Sequence, residues 1–405
     1  MLPARVLLLA CAAGCVAATA AAQTPADVRR DAQIRLGPVY ASPRFAIEEL
    51  GVDSNVFNNA EEKRDFTFTV APAASIWVPF GQRALFTADV GADVVYYQQY
   101  ASERSIDPGV RLRGDVFIGR ITPFVEIGYL RTRQRPNFEV DVRSLREERD
   151  LRAGVDVRLF SKVSVELNAG YRPVTFGQDA RFNDVSLRET LNRTSTTAAL
   201  VARYAATPLT TVMLTTEATR DRFELSPLRN ADSLRIVPGV ELNPRALISG
   251  SAHVGFRRFA PSNGALEPFT GLVASTSLSY TLRGTTKVTV TASRDITYSY
   301  ERVQPYFVVA SVGLAVRRQI VGPIDVSAAV QRETYRYRDL LLPGATAADL
   351  DRVDRLFAWS GSVGYRIGRN MRAGMGTAYR ARQSNSARLR DYEGFRVITT
   401  VDYDF

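Results

Sequence analysis

The feature that most constrains this chain is an alternation of apolar and polar side chains that repeats along nearly its whole length. From Phe45 to Phe405, segments of 12 to 18 residues alternate in this way and are separated by polar breaks. Successive side chains of a strand point to opposite faces, so each segment predicts a β-strand with one apolar and one polar face. In the last segment the two faces carry Phe395, Val397, Thr399, Val401, Tyr403 and Phe405 against Arg396, Thr400, Asp402 and Asp404.

The length of these strands and the charges within them distinguish a membrane barrel from a water-soluble sandwich. Strands of soluble proteins usually run about 5 or 6 residues, whereas strands that cross a bilayer at a tilt are longer. Asp156, Glu166 and Asp325 lie in mid-strand, where a dry protein core would not tolerate them. The sequence therefore predicts an all-β fold, a transmembrane antiparallel up-and-down β-barrel with a wet lumen and an apolar outer surface.

The breaks between strands predict the strand number and the orientation. We place eighteen strands, with a range of 16 to 18, the first near residues 44 to 57 and the fifth near residues 121 to 135. Breaks after even-numbered strands are tight, and those after odd-numbered strands are mostly longer, notably Gly177 to Thr190. Outer-membrane barrels have short periplasmic turns and long outer loops, so both termini are expected in the periplasm.

The N-terminus predicts secretion. Arg5, an apolar run from Val6 to Ala13 and small residues at 20–22 form a signal peptide with cleavage after Ala22. The expected organisation is a signal peptide over residues 1–22, a periplasmic segment over 23–43 and the barrel over 44–405. Lipidation at Cys15 is the alternative, although the residues before it lack the usual leucine. Cleavage after Ala22 removes both cysteines, Cys11 and Cys15, so a mature chain would have no thiol chemistry.

Other chemistry has little support in the sequence. The net charge is +10, but the arginines are spread singly along the strands rather than clustered, which argues against nucleic acid. The only histidine, His253, lies on the polar face of a strand and is interpreted as a wall residue rather than a catalytic one. We expect no enzyme activity, no cofactor and no metal site, since Asp349, Asp351 and Asp354 are better explained as a solvated loop than as a weak Ca²⁺ site.

The segment IRLGPVYASPRFAIEELGVDSNVFN, residues 34 to 58, resembles the entry motif of the putative β-barrel porin 2 family. The residues that carry the resemblance are Gly37, Pro38, Pro43, Asp53 and Asn55, with Pro72 inside the second strand. The resemblance implies a bacterial outer-membrane barrel of a family often linked to export of extracellular polysaccharide. The terminal Phe405 is similar to the signal that the β-barrel assembly machinery recognises.

These observations predict an outer-membrane channel with a polar lumen. The resemblance favours a conduit for exported polysaccharide, and the alternatives are a general diffusion porin and a closed structural or surface-interaction barrel. Expected partners are outer-membrane lipid, the assembly machinery, periplasmic polysaccharide-export proteins and an acidic polysaccharide. A porin would narrow its path with an infolded loop, for which Gly177 to Thr190 is the candidate. The residues expected to line the lumen are Arg111, Arg113, Asp115, Arg152, Asp156, Arg158, Glu166, Arg172, Asp325, Glu333 and Arg366.

Overall fold

The computed structural model describes residues 24, 25, 28, 32–340, 351–386 and 391–404. The predicted signal peptide and Phe405 lie outside these residues. Within the described ranges, no helix is both long enough and apolar enough to span a bilayer. Most of the described chain is β-structure, and most of the rest lies in the connections between strands.

Eighteen long strands form the wall in the described part of the chain, and we number them in chain order. They are β1 Val39–Asp53, β2 Asp65–Phe80, β3 Ala84–Tyr97, β4 Ser105–Val116, β5 Ile121–Thr132, β6 Arg146–Phe160, β7 Val163–Phe176, β8 Arg193–Thr207, β9 Thr210–Phe223, β10 Ala231–Leu242, β11 Ile248–Pro261, β12 Phe269–Leu282, β13 Thr286–Tyr298, β14 Tyr306–Val321, β15 Ile324–Arg338, β16 Val353–Ile367, β17 Met371–Ser384 and β18 Tyr392–Asp404.

The sheet closes on itself. Every strand pairs antiparallel with its neighbour in sequence, and β1 pairs with β18 through registers such as Phe45 with Tyr403. Closure leaves no unpaired strand edge, which is the condition for strands to cross a bilayer. The predicted fold class and the even count of eighteen are confirmed.

The two ends of the barrel differ. At one end, which we call the turn end, consecutive strands are joined by two to five residues. At the other, the loop end, the connections run from seven residues to the sixteen of 177–192. The turn after β12 illustrates the tight class: Arg283 and Gly284 both have positive φ, as a two-residue hairpin turn requires.

The alternation predicted from the sequence determines the two faces of the wall. The outward positions carry exposed apolar side chains all around the barrel, for example Val125, Leu167, Val254 and Val363. The inward positions of the same strands carry charged, hydroxyl and small residues. An apolar exterior and a polar interior are what a bilayer outside and water inside select.

The start of the barrel differs from the prediction. β1 begins at Val39 rather than near residue 44, within the segment expected to precede the barrel, and Ile34–Leu36 folds back on its first residues through Gly37 and Pro38. Val28, only 1% exposed, packs against the inward residues Tyr40 and Leu85. Val28 and residues 32–38 therefore belong to the mouth of the barrel at the turn end.

Three short helical segments lie at the loop end in the described part of the chain. The helix α1 spans Leu187–Leu191, and its first turn is capped by Ser186, whose hydroxyl accepts from the Glu189 N–H at 3.3 Å. One 3₁₀ turn, Ala101–Glu103, lies between β3 and β4, and a second, Pro227–Arg229, lies between β9 and β10. The helix α1 and the second 3₁₀ turn carry residues that point into the lumen.

Candidate functional site

The lumen wall carries charges of both signs that are largely paired. On β4, Arg113 Nη2 lies 2.8 Å from Asp115 Oδ1, and its Nη1 lies 3.4 Å from Glu126 Oε2 on β5. The guanidinium of Arg113 also stacks 4.2 Å from the ring centre of Phe124. Arg111, two residues before it on the same inward face, is 66% exposed, so water reaches the wall at this level.

A second ionic group spans β6, β7 and β8. Glu166 accepts from Arg152 at 2.7 Å and from Arg203 at 2.6 Å, and Arg203 also donates to Asp156 at 3.0 Å. The four side chains alternate in sign and together are neutral. Arg203 was not among the predicted residues, although it lies on the inward face of an alternating strand. The alternation would have placed Arg203 on the inner face. Its partners, however, could be found only from the register between β6, β7 and β8.

A third group joins β14, β15 and β17. Asp325 Oδ1 lies 2.7 Å from Arg372 Nη2, and its Oδ2 lies 3.1 Å from Arg317 Nη2. Neither arginine was predicted. The three ionic groups mean that the wall presents mixed, mostly compensated charge rather than one sign.

The remaining predicted residues occupy inward positions with different surroundings. Arg172 is paired with Glu148 and is 49% exposed. Glu333 is 1% exposed and accepts hydrogen bonds from Gln331 and Tyr335, so it is covered rather than open to the lumen. Arg158 and Arg366 are exposed near the turn end. Arg172, Glu333, Arg158 and Arg366 do not form one cluster within the described residues.

The lumen is filled at the loop end by the segment 133–145, which connects β5 and β6. Phe138 packs against Phe307 and Tyr335, which lie on β14 and β15. Because β14 and β15 are about nine strands from β5 and β6 in a ring of eighteen, this segment crosses the lumen from one wall to the other. Its carbonyl at Phe138 accepts from Arg382 Nη1 on β17 at 3.0 Å.

Two further segments meet the crossing segment inside the lumen. Val140 packs with Phe176, Leu187 and Tyr300, which belong to β7, α1 and the β13–β14 connection. Tyr300 is fully buried, and its hydroxyl accepts from Asn183 Nδ2 at 2.9 Å. The predicted plug Gly177 to Thr190 thus contributes to the filling, but the crossing segment was missed. We call these three segments, 133–145, 177–192 and 299–305, the lumen plug.

A buried ionic cluster fastens the plug to the wall. Arg382 lies 2.5 Å from Asp354 Oδ2 and 3.5 Å from Asp141 Oδ2, and Arg352 lies 3.9 Å from Glu139 Oε1. Asp354 also pairs with Arg352. Asp354, one of the three acids considered as a weak Ca²⁺ site, is therefore fully buried and committed to two arginines.

Hydrogen bonds extend this cluster to the connection between β13 and β14. Glu139 Oε1 accepts from the Ser299 hydroxyl at 2.6 Å, and Oε2 accepts from the Tyr300 N–H at 3.3 Å. Arg229 donates to the Ser299 carbonyl at 2.5 Å and to that of Glu301. Five segments of the chain therefore converge on a few polar side chains that water does not reach.

Burial sets the protonation of the loop groups in this cluster. Loss of solvent raises the pKa of Glu139, and the charge of Arg352 offsets this only in part. Burial likewise raises the pKa of the Asp141 carboxyl against the opposing effects of Arg135 and Arg382. Burial lowers the pKa of Arg229 to about 10, so this group stays charged at neutral pH.

The family-motif residues form a structural joint at the loop end of β1. The Asn55 N–H donates to Asp53 Oδ1 at 2.9 Å, and its side-chain amide donates to the carbonyls of Asn59 and Glu393, both at 2.7 Å. Asp53 pairs with Arg396 of β18 at 2.5 Å. The motif therefore fastens the first strand to the last, where the barrel closes.

Close approach of β1 to β18 requires glycine at position 51. A β-carbon there would lie 1.9 Å from the Val397 carbonyl oxygen. The bulge in β1 just before it places Glu49, with φ of 55°, within 3.0 Å of Arg396. Pro43 and Pro72 lie on neighbouring strands at outward positions.

Catalytic and metal chemistry find no support among the described residues. His253 is 8% exposed on the inner wall, and its imidazole fills the space over Gly239. Within the ranges that the structure describes, no three His, Cys, Asp or Glu side chains are grouped so that they could hold a metal ion.

A closed eighteen-strand barrel with an apolar exterior and a charged lumen narrowed by infolded loops defines an outer-membrane channel of the porin class. The chain belongs to the family described as Putative beta-barrel porin 2, whose model matches residues 32–405. The resemblance seen in the first strands is thereby confirmed. The family and the fold indicate a channel in the outer membrane rather than an enzyme.

The chain is similar to several solved structures at low sequence identity. A BenF-like porin from Pseudomonas fluorescens Pf-5 has a TM-score of 0.50 and 10% identity, with 91% of this chain and 100% of that chain covered. OpdK from Pseudomonas aeruginosa has a TM-score of 0.49 and 12% identity, with 90% and 98% covered. OprD from Pseudomonas aeruginosa has a TM-score of 0.48 and 9% identity, with 93% and 97% covered. No curated protein matches the sequence.

Proposed function

We propose that this barrel is a channel for small hydrophilic solutes, whose path is narrowed at the loop end by the lumen plug. The observation that carries the proposal is the crossing of the lumen by segment 133–145, with Phe138 packed on the opposite wall. A general diffusion porin narrows its path in this way, whereas a conduit for a polymer needs a wide path along the whole barrel.

The charges of the wall support solutes without a strong preference for one sign. Arg152, Arg203, Asp156 and Glu166 compensate one another, and so do Arg111 and Arg113 with Asp115 and Glu126. Asp325 compensates one of its two arginine partners, which leaves a single positive charge at that group. A mixed wall attracts polar solutes and water but creates no large field of one sign. We expect weak ion selectivity.

Export of an acidic polysaccharide is the second candidate. The accessible lumenal arginines, Arg111 and Arg172, favour it because a polyanion would find successive weak sites along the wall. This function requires the lumen plug to withdraw, which a periplasmic export partner would have to cause. A barrel that stays closed and serves as a surface scaffold is the third possibility.

The same architecture supports one orientation of the barrel in the membrane. We place the loop end outside the cell and the termini in the periplasm, because the connections are short at one end and long at the other. Insertion by the assembly machinery through the terminal Phe405, after removal of residues 1–22, belongs to this proposal. A protease added to intact cells should cleave the loop end alone.

Conductance in planar bilayers tests the proposal. The refolded protein is measured with and without an acidic polysaccharide such as alginate, beside a variant in which residues 136–142 are replaced by a short Gly-Ser linker. Small stable steps that the polymer leaves unchanged, and that enlarge in the linker variant, support the small-solute channel. Large steps blocked by the polymer favour the export conduit. Insertion without conductance in either protein favours the closed scaffold.

A further inference from the structure

Three arginines lie together on the outer face of β15 and β16, toward the loop end. Arg355 stands directly opposite Thr334, which lies between Arg332 and Arg336 on the neighbouring strand. Diagonal neighbours on one face of an antiparallel pair are about 7 to 8 Å apart. The three guanidinium groups therefore share one surface, which we call the outer arginine patch.

The outer arginine patch has no internal partner. None of its three side chains makes a hydrogen bond or ion pair within the part of the chain that the structure describes, and all three are exposed. Elsewhere on the outer face, neighbouring arginines share a carboxylate: Arg220 and Arg222 lie 3.6 and 2.7 Å from Asp232. A second such group surrounds Glu147. At each of these two places one carboxylate compensates half of the charge of two arginines, whereas the three arginines on β15 and β16 have no carboxylate partner within the described residues.

The patch lies at the upper edge of the apolar belt. Val330, Trp359 and Val363, which are nearer the turn end on the same two strands, are exposed and apolar. Arg332 and Arg336 follow Ile324 by eight and twelve residues, about 20 and 30 Å along the barrel axis for a tilted strand. The apolar band of outer-membrane barrels is about 25 Å tall, so the patch spans its upper edge, where lipid head groups begin.

A polar cavity adjoins the patch beside Arg355. Its volume is about 380 Å³, and it opens at the loop end between β16 and β17. The Gln383 amide can donate to and accept from sugar hydroxyl groups, whereas Ser384 and Asn385 already hydrogen-bond to Asp354 and to the backbone of Val353 and Asp351. The lining residues are Val353, Arg355, Gln383, Ser384, Asn385 and Asp391.

We propose that the outer arginine patch binds the phosphorylated sugar head group of lipopolysaccharide in the outer leaflet. Guanidinium groups bind phosphate through paired, charge-assisted hydrogen bonds, and three of them suit a doubly phosphorylated head group. Uncompensated arginines at the lipid face are unfavourable, and the phosphates neutralise them. The cavity beside Arg355 accommodates part of a sugar. The proposal requires the loop end to face the cell exterior, but it does not depend on the lumen being open.

Binding of lipid A to the detergent-solubilised, refolded protein tests the proposal. Native mass spectrometry compares the bisphosphorylated lipid, its dephosphorylated form and phosphatidylglycerol. The variants are R332Q/R336Q/R355Q, R332K/R336K/R355K and, as a matched control from an outer-face pair that shares a carboxylate, R220Q/R222Q. Folding of each variant is checked by its heat-modifiable mobility on a gel, and the single change Arg355→Gln replaces the triple variant if that variant does not fold.

The expected result is saturable binding of bisphosphorylated lipid A that weakens at least tenfold in the triple variant, and measurably in Arg355→Gln alone. The control variant should bind as the parent does, because it leaves the patch intact. R332K/R336K/R355K should bind less tightly than the parent but more tightly than the triple glutamine variant, because lysine keeps the charge and not the paired hydrogen bonds. Equal binding by the parent and the folded patch variant would overturn the proposal. Equal or tighter binding of phosphatidylglycerol would also overturn it, since the patch would then recognise a phospholipid head group.

Discussion

Arg382 of β17 contacts segment 133–145 directly, through Asp141 and the Phe138 carbonyl. The substitution Arg382→Met therefore tests whether this segment closes the lumen. The substitution removes the ion pairs with Asp354 and Asp141 and the hydrogen bond to the Phe138 carbonyl. Methionine retains much of the apolar volume of the arginine stem. The change therefore acts mainly on charge and hydrogen bonding, and the packing of Phe138 stays available.

The size of the effect follows from the partners that remain. Asp354 keeps Arg352 and the Ser384 hydroxyl, and Asp141 keeps Asn58 at 2.8 Å. Removing one partner of a buried pair costs about 3 to 5 kcal/mol, and the remaining contacts favour the lower end, about 3 kcal/mol. Since about 1.4 kcal/mol is a tenfold change in an equilibrium constant, the ratio of packed to released segment should fall roughly 100-fold.

Single-channel recording in planar bilayers measures the ratio of packed to released segment as the fraction of time that the channel is open. Arg382→Met should open far more often than the parent, with larger steps. The control is Arg113→Met, which breaks ion pairs on the wall at β4 and β5 away from the lumen plug. Unchanged opening in folded Arg382→Met, or an equal increase in Arg113→Met, would refute the assignment of segment 133–145 as the closing element.

Three further outcomes are expected. Burial raises the pKa of Glu139, so the packed plug holds the Glu139 proton more tightly than a released plug does. The stabilisation that this proton contributes is complete below roughly pH 4 and is lost as the pH rises through the raised pKa of Glu139. Openings should therefore increase with pH, and Glu139→Gln should flatten that profile. Arg203→Met leaves a net negative charge beside Glu166 and Asp156, so the reversal potential in a salt gradient should shift toward cation selectivity, and no shift would contradict a solute path along that wall. Asn55→Ala removes a buried amide with two carbonyl partners, which should cost about 1 to 3 kcal/mol and lower the temperature at which the barrel loses its compact mobility on gels; an unchanged temperature would argue against the joint between β1 and β18.

The wall was predictable because one physical constraint acts on every residue of it. Lipid outside and water inside impose a period of two, so Asp156, Glu166 and Asp325 were placed on the inner face without knowledge of their partners. The strand number and the difference between turns and loops followed from the same pattern. The start of β1 was missed because Gly37 and Pro38 indicate a turn, and the strand that follows already belongs to the wall.

The partners of those residues required the register between strands, which the sequence pattern does not contain. Arg203 alternates with Tyr204 as clearly as Arg152 alternates with Leu151, but only the pairing of β6, β7 and β8 brings both arginines to Glu166. A one-residue change of register would turn one strand's side chains outward. Ionic groups between strands are therefore a consequence of the fold rather than a signal in the sequence.

The lumen plug was harder to predict for a different reason: its contacts join positions that lie far apart in the chain. Glu139 meets Ser299, and Arg382 meets Phe138, at separations of 160 and 244 residues. Segment 133–145 has no period of two or 3.6, and its acids, Glu139 and Asp141, are ordinary loop residues in isolation. They hold segment 133–145 across the lumen because Arg352 pairs with Glu139 and Arg382 pairs with Asp141. A plug held by buried charge can be released by changing one charge, whereas a plug held only by apolar packing has no such charge to change. Closure of this lumen is therefore expected to respond to pH and to single substitutions.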